Sequence, residues 1–202
     1  MAVTRTSIEK IRRRDLIEAA YQTFLEHGFN GMTMVRIGER AGMSHGIVNY
    51  YFKSKDELVS AVVRKANFLI MQDTAKRLRA ACSARERVSA VITGNFPADL
   101  FTREIARAWV SYYAALGQRQ DLDRMQRAVD ARLASNLMHA LRQLVDRRRA
   151  RMIADYVAVL IDGYWLRHAK SYDVVDAAAA IAQIEDFVDA QLSAAAQQEV
   201  PS

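Results

Sequence analysis

The stretch Thr33-Met-Val-Arg-Ile-Gly-Glu-Arg-Ala-Gly-Met-Ser-His-Gly-Ile-Val-Asn-Tyr-Tyr-Phe52 reads as two short helices joined by a turn. Thr33 is placed to cap the first helix by accepting an orphan backbone N–H. Met34, Ile37 and Ala41 repeat at helical spacing and share a face. Gly42-Met43 makes the break, because glycine tolerates the left-handed backbone of a tight turn. Ser44 opens the second helix, with Ile47, Val48 and Tyr51 as its apolar anchors. The residues left over, Ser44, His45, Gly46, Asn49 and Tyr50, are small or able to hydrogen-bond. A helix-turn-helix offers that part of its second helix to base edges in the major groove. An ordinary helical hairpin shares this outline, so the surroundings of the motif decide between the two.

Those surroundings are basic. Arg12-Arg13-Arg14 precede the motif, and Lys53 and Lys55 follow it. Residues 1–65 hold eleven Lys/Arg against seven Asp/Glu, a net of +4 out of +6 for the whole chain. Positive charge gathered around a helix-turn-helix is the electrostatic footprint of phosphate contact. A sequence pI near 9.6 agrees with an anionic partner.

The chain has 202 residues, 51% of them hydrophobic and 26% charged, the balance of a globular protein with a sizeable core. No apolar run reaches membrane-spanning length, so no membrane partner is expected. Met1-Ala-Val-Thr-Arg-Thr-Ser7 lacks the apolar core of a signal peptide. A single cysteine, Cys82, suits a reducing cytoplasm and reads as a small packing residue.

Helical periodicity is widespread and period-two alternation is scarce, so the chain reads as all-α. The expected architecture is an N-terminal three-helix helix-turn-helix domain, residues 1–53, which binds DNA. Residues 54–202 then form a C-terminal helical bundle for ligand binding and dimerisation. The first helix is expected over about 7–27, with Ile11, Leu16, Ile17, Ala20 and Phe24 inward and Gly28 at its end. Ser54-Lys-Asp-Glu57 forms a capping box that starts a long helix to about residue 80. Further helices are expected over about 84–95, 99–116, 122–145, 149–169 and 173–196, with Ser171-Tyr172 marking the last break. The last two helices carry Val157, Leu160, Ile161, Ile181, Ile184, Phe187, Val188 and Leu192. These either complete the core of one subunit or form a four-helix interface between two; paired half-sites favour the dimer.

A ligand chamber is suggested by two aromatic groups. Trp109, Tyr112 and Tyr113 stand at i, i+3 and i+4 on one helix. Asp162 and Trp165 stand at i and i+3 on another, beside Tyr164. An aromatic wall with one carboxylate suits a quaternary ammonium, which has no N–H to donate and is held by cation–π and Coulomb attraction. Aromatics at helical spacing are also ordinary core. Asp162 lies within an apolar run, where a carboxylate is costly without a partner; Arg167 or Arg107 is the structural alternative to a ligand. An enzyme is not expected. His27, His45, His139 and His168 show no metal-ligand spacing, and there is no phosphate-cradling glycine loop or nucleophile elbow.

Arg36-Ile-Gly-Glu-Arg-Ala-Gly-Met-Ser-His-Gly-Ile-Val-Asn-Tyr-Tyr-Phe52, followed by Lys55-Asp-Glu-Leu58, closely resembles the TetR family of bacterial repressors over about residues 8–68. Ile11–Ile17, Gly94-Asn-Phe96, Ala108-Trp109 and Leu160-Ile-Asp-Gly-Tyr-Trp-Leu-Arg167 resemble the choline-responsive members of that family. The resemblance implies a cytoplasmic, nucleoid-associated homodimer without a cofactor. It would bind a double-stranded DNA operator, repress choline uptake and glycine betaine synthesis, and be relieved by choline or a related cation. Carried over by position, Thr33, Ser44, His45, Gly46 and Asn49 would face bases or nearby phosphates, and Tyr50, Tyr51 and Lys55 would hold the backbone. Asn95, Phe96, Trp109, Tyr112, Tyr113, Asp162 and Trp165 would line the ligand site. His45, Asn49 and Tyr50 depart from the family's recognition-helix pattern, which points to a different operator. The alternative within the family is a repressor of multidrug efflux that responds to varied cations.

Overall fold

The computed structural model describes residues 5–170 and 175–198. The expected break at Ser171-Tyr172 and the end of the chain lie outside them. The described residues form nine helices and no strand. The helices are α1 (Arg5–Gly31), α2 (Met34–Ala41), α3 (His45–Tyr51), α4 (Lys55–Ala80), α5 (Ala84–Gly94), α6 (Arg103–Tyr113), α7 (Gln120–Leu141), α8 (Arg147–Lys170) and α9 (Ala177–Gln198). No described helix is long and apolar enough to cross a membrane.

The ends of these helices follow from local chemistry. The Thr33 hydroxyl accepts from Arg36 N–H, and the Ser44 hydroxyl accepts from Ile47 N–H. Gly42 takes the left-handed conformation (φ 62°, ψ 33°), and its N–H closes α2 by donating to the Glu39 and Gly38 carbonyls. The capping box before α4 is reciprocal: Glu57 N–H donates to Ser54 Oγ (3.2 Å) and Lys53 N–H to Glu57 Oε2 (3.0 Å). In α1 the helical dihedrals break at Gly28, as expected.

Several boundaries differ from expectation, among them the end of α7 at Leu141 instead of near 145, and three of the differing starts have a visible local cause. Helix α6 begins at Arg103, not near 99, because residues 97–102 turn back on the Pro97 carbonyl, which accepts from Leu100 and Phe101 N–H. Asp146 caps α8, accepting from Arg148 and Arg149 N–H, and moves its start to Arg147. Asp176 caps α9 in the same way, through Ala178 and Ala179 N–H, and the helix starts at Ala177.

The chain divides into two compact units. The first contains residues up to 68 together with 107–123. Its core holds Leu16, Ala20, Phe24, Met32, Ile37, Val48, Phe52, Leu58 and Val62, with α2 packed on α1 and α3 on α2. Ile11, expected inward, is 42% exposed. Residues 107–123 are fastened to this core by polar contacts. Phe29 N–H donates to Ser111 Oγ (2.8 Å). Arg119 reaches Asp56 and Asp121, each at 2.8 Å, and Ser60 Oγ donates to Asp121 Oδ2 (2.7 Å). The Arg119 guanidinium, helped by Ser60, holds the Asp121 carboxyl down at about 2.

A carboxyl depressed in this way stabilises the fold above its ordinary value and loses that contribution as the pH falls toward 2. Asp121 is partly open to solvent, so the contribution is about 1 kcal/mol. Arg119→Ala is therefore expected to lower the melting temperature by about 2–4 °C at neutral pH. It should also shrink the acid-induced destabilisation between pH 4 and pH 2, read by calorimetry across that range. An unchanged acid profile would contradict the Arg119–Asp121 pairing.

The second unit contains residues 69–106 and those from 124 onward. Here α9 packs on α8 and on α5, and Arg85 of α5 pairs with Glu185 and Asp189 of α9. Val157, Ile161, Ile184 and Val188 are buried within this unit. These four belong to the core of the single chain, while Leu160, Ile181, Phe187 and Leu192 of the same expected set stay partly exposed. On α8 the exposed apolar side chains are instead Tyr156 (54%), Val159 (66%) and Leu166 (47%).

Candidate nucleic-acid interface and effector site

Helix α3 is anchored by one side chain. Val48 is fully buried, and so is Phe52 just after the helix. Ser44, His45, Gly46, Asn49 and Tyr50 are exposed, and Tyr51 is half-buried against Tyr50, ring to ring at 5.1 Å. Ile47, expected as an anchor, is 44% exposed. Val48 and Tyr51 stand at i and i+3 and share the inward side of α3, whereas Ile47, next to Val48 and about 100° around the helix, turns toward solvent.

The exposed residues border a groove of about 580 Å³ lined by Ile8, Arg12, Gly42, Met43, Ser44, Gly46, Ile47, Tyr50 and Tyr51. His45 and Asn49 lie on the same helix outside that lining. Thr33 and Lys55 are exposed at the starts of α2 and α4. The Tyr50 hydroxyl stands 3.5 Å from Glu9, at the limit of a hydrogen bond.

The three consecutive arginines of α1 divide by role. Arg13 lies over the Phe52 ring (4.6 Å to the centroid) and pairs with Glu57 (3.4 Å), which ties α1 to the end of the motif. Arg12 opens on the groove. Arg14 is extended into solvent, with Asp15 at 3.8 Å. This arrangement presents cationic groups beside hydrogen-bonding side chains on a short protruding helix, which suits phosphate contact combined with base reading.

The two aromatic groups fall in different units. Trp109, Tyr112 and Tyr113 belong to the first. Tyr112 is fully buried, its hydroxyl aimed at the Leu122 carbonyl (3.5 Å). Trp109 is nearly buried and lies flat against Tyr113 (6.0 Å, 29°), which is 40% exposed. In the first unit Tyr112 and Trp109 are buried and Tyr113 leaves one edge of the group open.

In the second unit the structure joins Asn95, Phe96 and Trp165. The Trp165 indole N–H donates to the Asn95 carbonyl (3.0 Å), and the Asn95 amide donates to the Val91 carbonyl (2.7 Å). Three further residues complete the cluster: Phe101, Tyr164 and His168. Phe101 meets Trp165 edge-on (4.9 Å) and stacks on His168 (4.4 Å, 13°). Phe96 meets both Phe101 (5.2 Å) and Tyr164 (6.3 Å) edge-on. Phe101 and His168 gave no sequence signal, because Phe101 sits in the irregular 97–102 segment and brings His168 in only through tertiary packing. His168 is buried, and neither ring nitrogen has a partner of normal hydrogen-bond geometry. Burial and the nearby Arg103 push its pKa down, although the Phe101 backbone opposes that shift.

Asp162 stands one turn before Trp165 on α8. It makes no hydrogen bond and no ion pair among the described residues, and the Arg167 pairing considered from sequence is not formed. More than a third of the residue is accessible, yet the surrounding protein and the neighbouring Asp130 carboxylate push its pKa up to about 6. Beside it, a Cβ on Gly163 would meet nothing within 4 Å. The result is an accessible carboxyl lacking a counter-ion, next to open space and near an aromatic cluster. Its chemistry favours a cation. Among the described residues no cluster of His, Cys, Asp and Glu is suited to a metal.

Two family profiles match the chain. One, for bacterial regulatory proteins of the tetR family, covers residues 16–62. The other, for the C-terminal domain of BetI-type transcriptional repressors, covers residues 84–193. The HTH-type transcriptional regulator BetI of Brucella suis is 39% identical over 186 residues, which are 92% of this chain and 94% of that protein. A crystal structure described as a transcriptional regulator of Pseudomonas aeruginosa PAO1 superposes with a TM-score of 0.80 at 25% identity and covers 94% of both chains. Another, described as a regulator of Saccharomonospora viridis in complex with choline, superposes with a TM-score of 0.75 at 18% identity. It covers 89% of this chain and 96% of its own. At that identity the likeness concerns the fold.

Proposed function

The chain belongs to the tetR family of bacterial regulatory proteins, with a BetI-type C-terminal domain, and on that premise we propose that it represses choline uptake and glycine betaine synthesis genes and is relieved by choline or a related quaternary amine. It is a DNA-binding transcriptional repressor and not an enzyme. Regulators of this family bind DNA operators and small-molecule effectors, typically as dimers. The operator, the effector and the dimer of this particular chain are the proposal.

The observation that carries the effector reading is Asp162, an accessible carboxyl without a cationic partner, one turn from an indole. A quaternary ammonium supplies the missing charge without needing a hydrogen-bond acceptor, and its methyl groups suit aromatic faces. The choline bound to the Saccharomonospora viridis regulator, a protein of the same fold, supports this class of ligand.

The DNA-reading surface is α3 with Thr33 and Lys55, in the roles given by the family resemblance. The dimer face is the exposed stripe Tyr156, Val159 and Leu166 on α8. Ligand relieves repression only if it binds the DNA-incompetent arrangement more tightly than the competent one. In this reading the ligand moves α4 and changes the separation of the two recognition helices.

Titration calorimetry with a panel of cations tests the effector reading. Tight binding of small methylated amines, with weak binding of bulky aromatic cations, is the expected result. Comparable binding of many bulky cations would replace it with the multidrug reading. Affinity for choline should also fall as the pH drops through about 6, because protonated Asp162 carries no charge.

A further inference from the structure

Among the exposed side chains of α3, Ile47 is the single aliphatic one; its flanking exposed residues Ser44, His45, Asn49 and Tyr50 all carry hydrogen-bonding groups. Lone exposed aliphatics are common on protein surfaces and by themselves need no explanation. This one sits where a base-reading helix faces outward, and it leaves almost half of its surface open while Val48 and Phe52 are the fully buried residues that seat the helix. The surface beside it is also unobstructed. A Cβ on Gly46 would meet nothing nearer than Ser44 Oγ at 3.9 Å, and Gly46 and Tyr50 line the same groove as Ile47.

In the major groove the base edges present donors and acceptors, and the one projecting apolar group among them is the C5-methyl of thymine, which cytosine replaces by a bare C5–H. An aliphatic side chain reads that group and gains nothing from the others. We infer that Ile47 is a specificity-determining residue that selects thymine in the operator through its methyl group, while the neighbouring polar side chains read hydrogen-bonding edges. The inference rests on the DNA-reading role of α3 proposed above.

The test is a two-by-two comparison. Wild-type protein and Ile47→Ala are each titrated against an operator selected by the wild-type protein from a random duplex pool. A second copy of that operator carries deoxyuridine at every thymidine, which removes only methyl groups. Wild-type affinity should fall by about fourfold for each methyl contacted. Ile47→Ala should bind the thymidine duplex more weakly by a similar factor and lose little more on the deoxyuridine duplex. Ile47→Val, which keeps a branched aliphatic, should retain the methyl dependence.

Wild-type binding indifferent to the methyl groups overturns the inference. So does an equal loss in wild type and Ile47→Ala, since the methyl would then act through DNA shape or another residue. If the pool yields no preferred sequence, the DNA-reading premise itself fails, and the inference with it. Circular dichroism of both variants checks that the exposed substitution leaves the helices intact.

Discussion

Asp162→Asn is expected to abolish the response to choline while operator binding stays within about twofold of wild type. The substitution keeps the shape of the side chain and removes its charge. A quaternary ammonium makes no hydrogen bond to the new amide, so both the Coulomb attraction and any compensation are lost. For a charge pair formed on binding, affinity should fall by about 10- to 100-fold, read by calorimetry. The DNA-reading residues are in the other compact unit and do not involve this carboxyl.

The same variant has a stability signature whose sign is fixed. The folded-state pKa of Asp162 is raised from 3.8 to about 6 by burial and by Asp130. A raised carboxyl favours the fold fully below its unfolded value and loses that contribution as the pH rises through the folded value. At pH 7.5 ionised Asp162 therefore works against the fold, and the asparagine does not. Because solvent reaches the residue, the gain is on the order of 1 kcal/mol or less. Asp162→Asn should melt at or slightly above the wild-type temperature at pH 7.5, with the difference shrinking as the pH falls from 6 toward 4. Unfolding of the variant at neutral pH would mean that Asp162 has a structural partner and is not an effector ligand.

Gly94→Ala is expected to be the most damaging single-methyl change in the second unit. A Cβ at this position would stand 2.6 Å from Thr74 Cα and 2.5 Å from its hydroxyl oxygen. The obstruction includes backbone, so a rotamer change cannot relieve it, and α4 and α5 must separate. A cost of about 3 kcal/mol corresponds to a fall of about 6–12 °C in melting temperature. Asn95, the next residue, supplies the carbonyl that holds Trp165, so the effector response should weaken as well. Gly163→Ala is the control of opposite sign. Gly163 is helical with open space around its Cβ position, and the substitution should stabilise by about 0.5–1 kcal/mol through reduced unfolded-state entropy. A harmless Gly94→Ala would contradict the close approach of α4 and α5.

What was legible from sequence was what is local. Thr33, Ser44 and the Ser54–Glu57 box announce helix starts through residues three apart, and each makes the hydrogen bond its position requires. The Asp162–Trp165 spacing is likewise a property of one helix. Ile47 defeats a reading by apolar anchors because it adjoins Val48, and two adjacent helical positions lie about 100° apart, so that only one of them points straight into the core. The start of α6 is not visible in the sequence because the Pro97 carbonyl collects two turn hydrogen bonds that no composition signal announces. Nothing local indicates that residues 107–123 join the N-terminal unit. That association is made by Ser111 with Phe29 and by Arg119 with Asp56, pairs more than sixty residues apart in the chain. The aromatic cluster was half legible for the same reason: Trp165 lies in a regular helix, whereas Phe101 reaches it from an irregular turn.

The central claim, a DNA-binding repressor released by a small quaternary amine, is tested most directly by one titration. A fluorescently labelled duplex from upstream of the protein's own gene, or the operator selected from a random pool, is titrated with protein at fixed salt, with and without choline, and anisotropy is followed. Tight, sequence-dependent binding that choline weakens is the expected result. Tight binding unaffected by choline and by other quaternary amines would contradict the effector half of the claim, and binding no tighter than to a random duplex would contradict the claim as a whole.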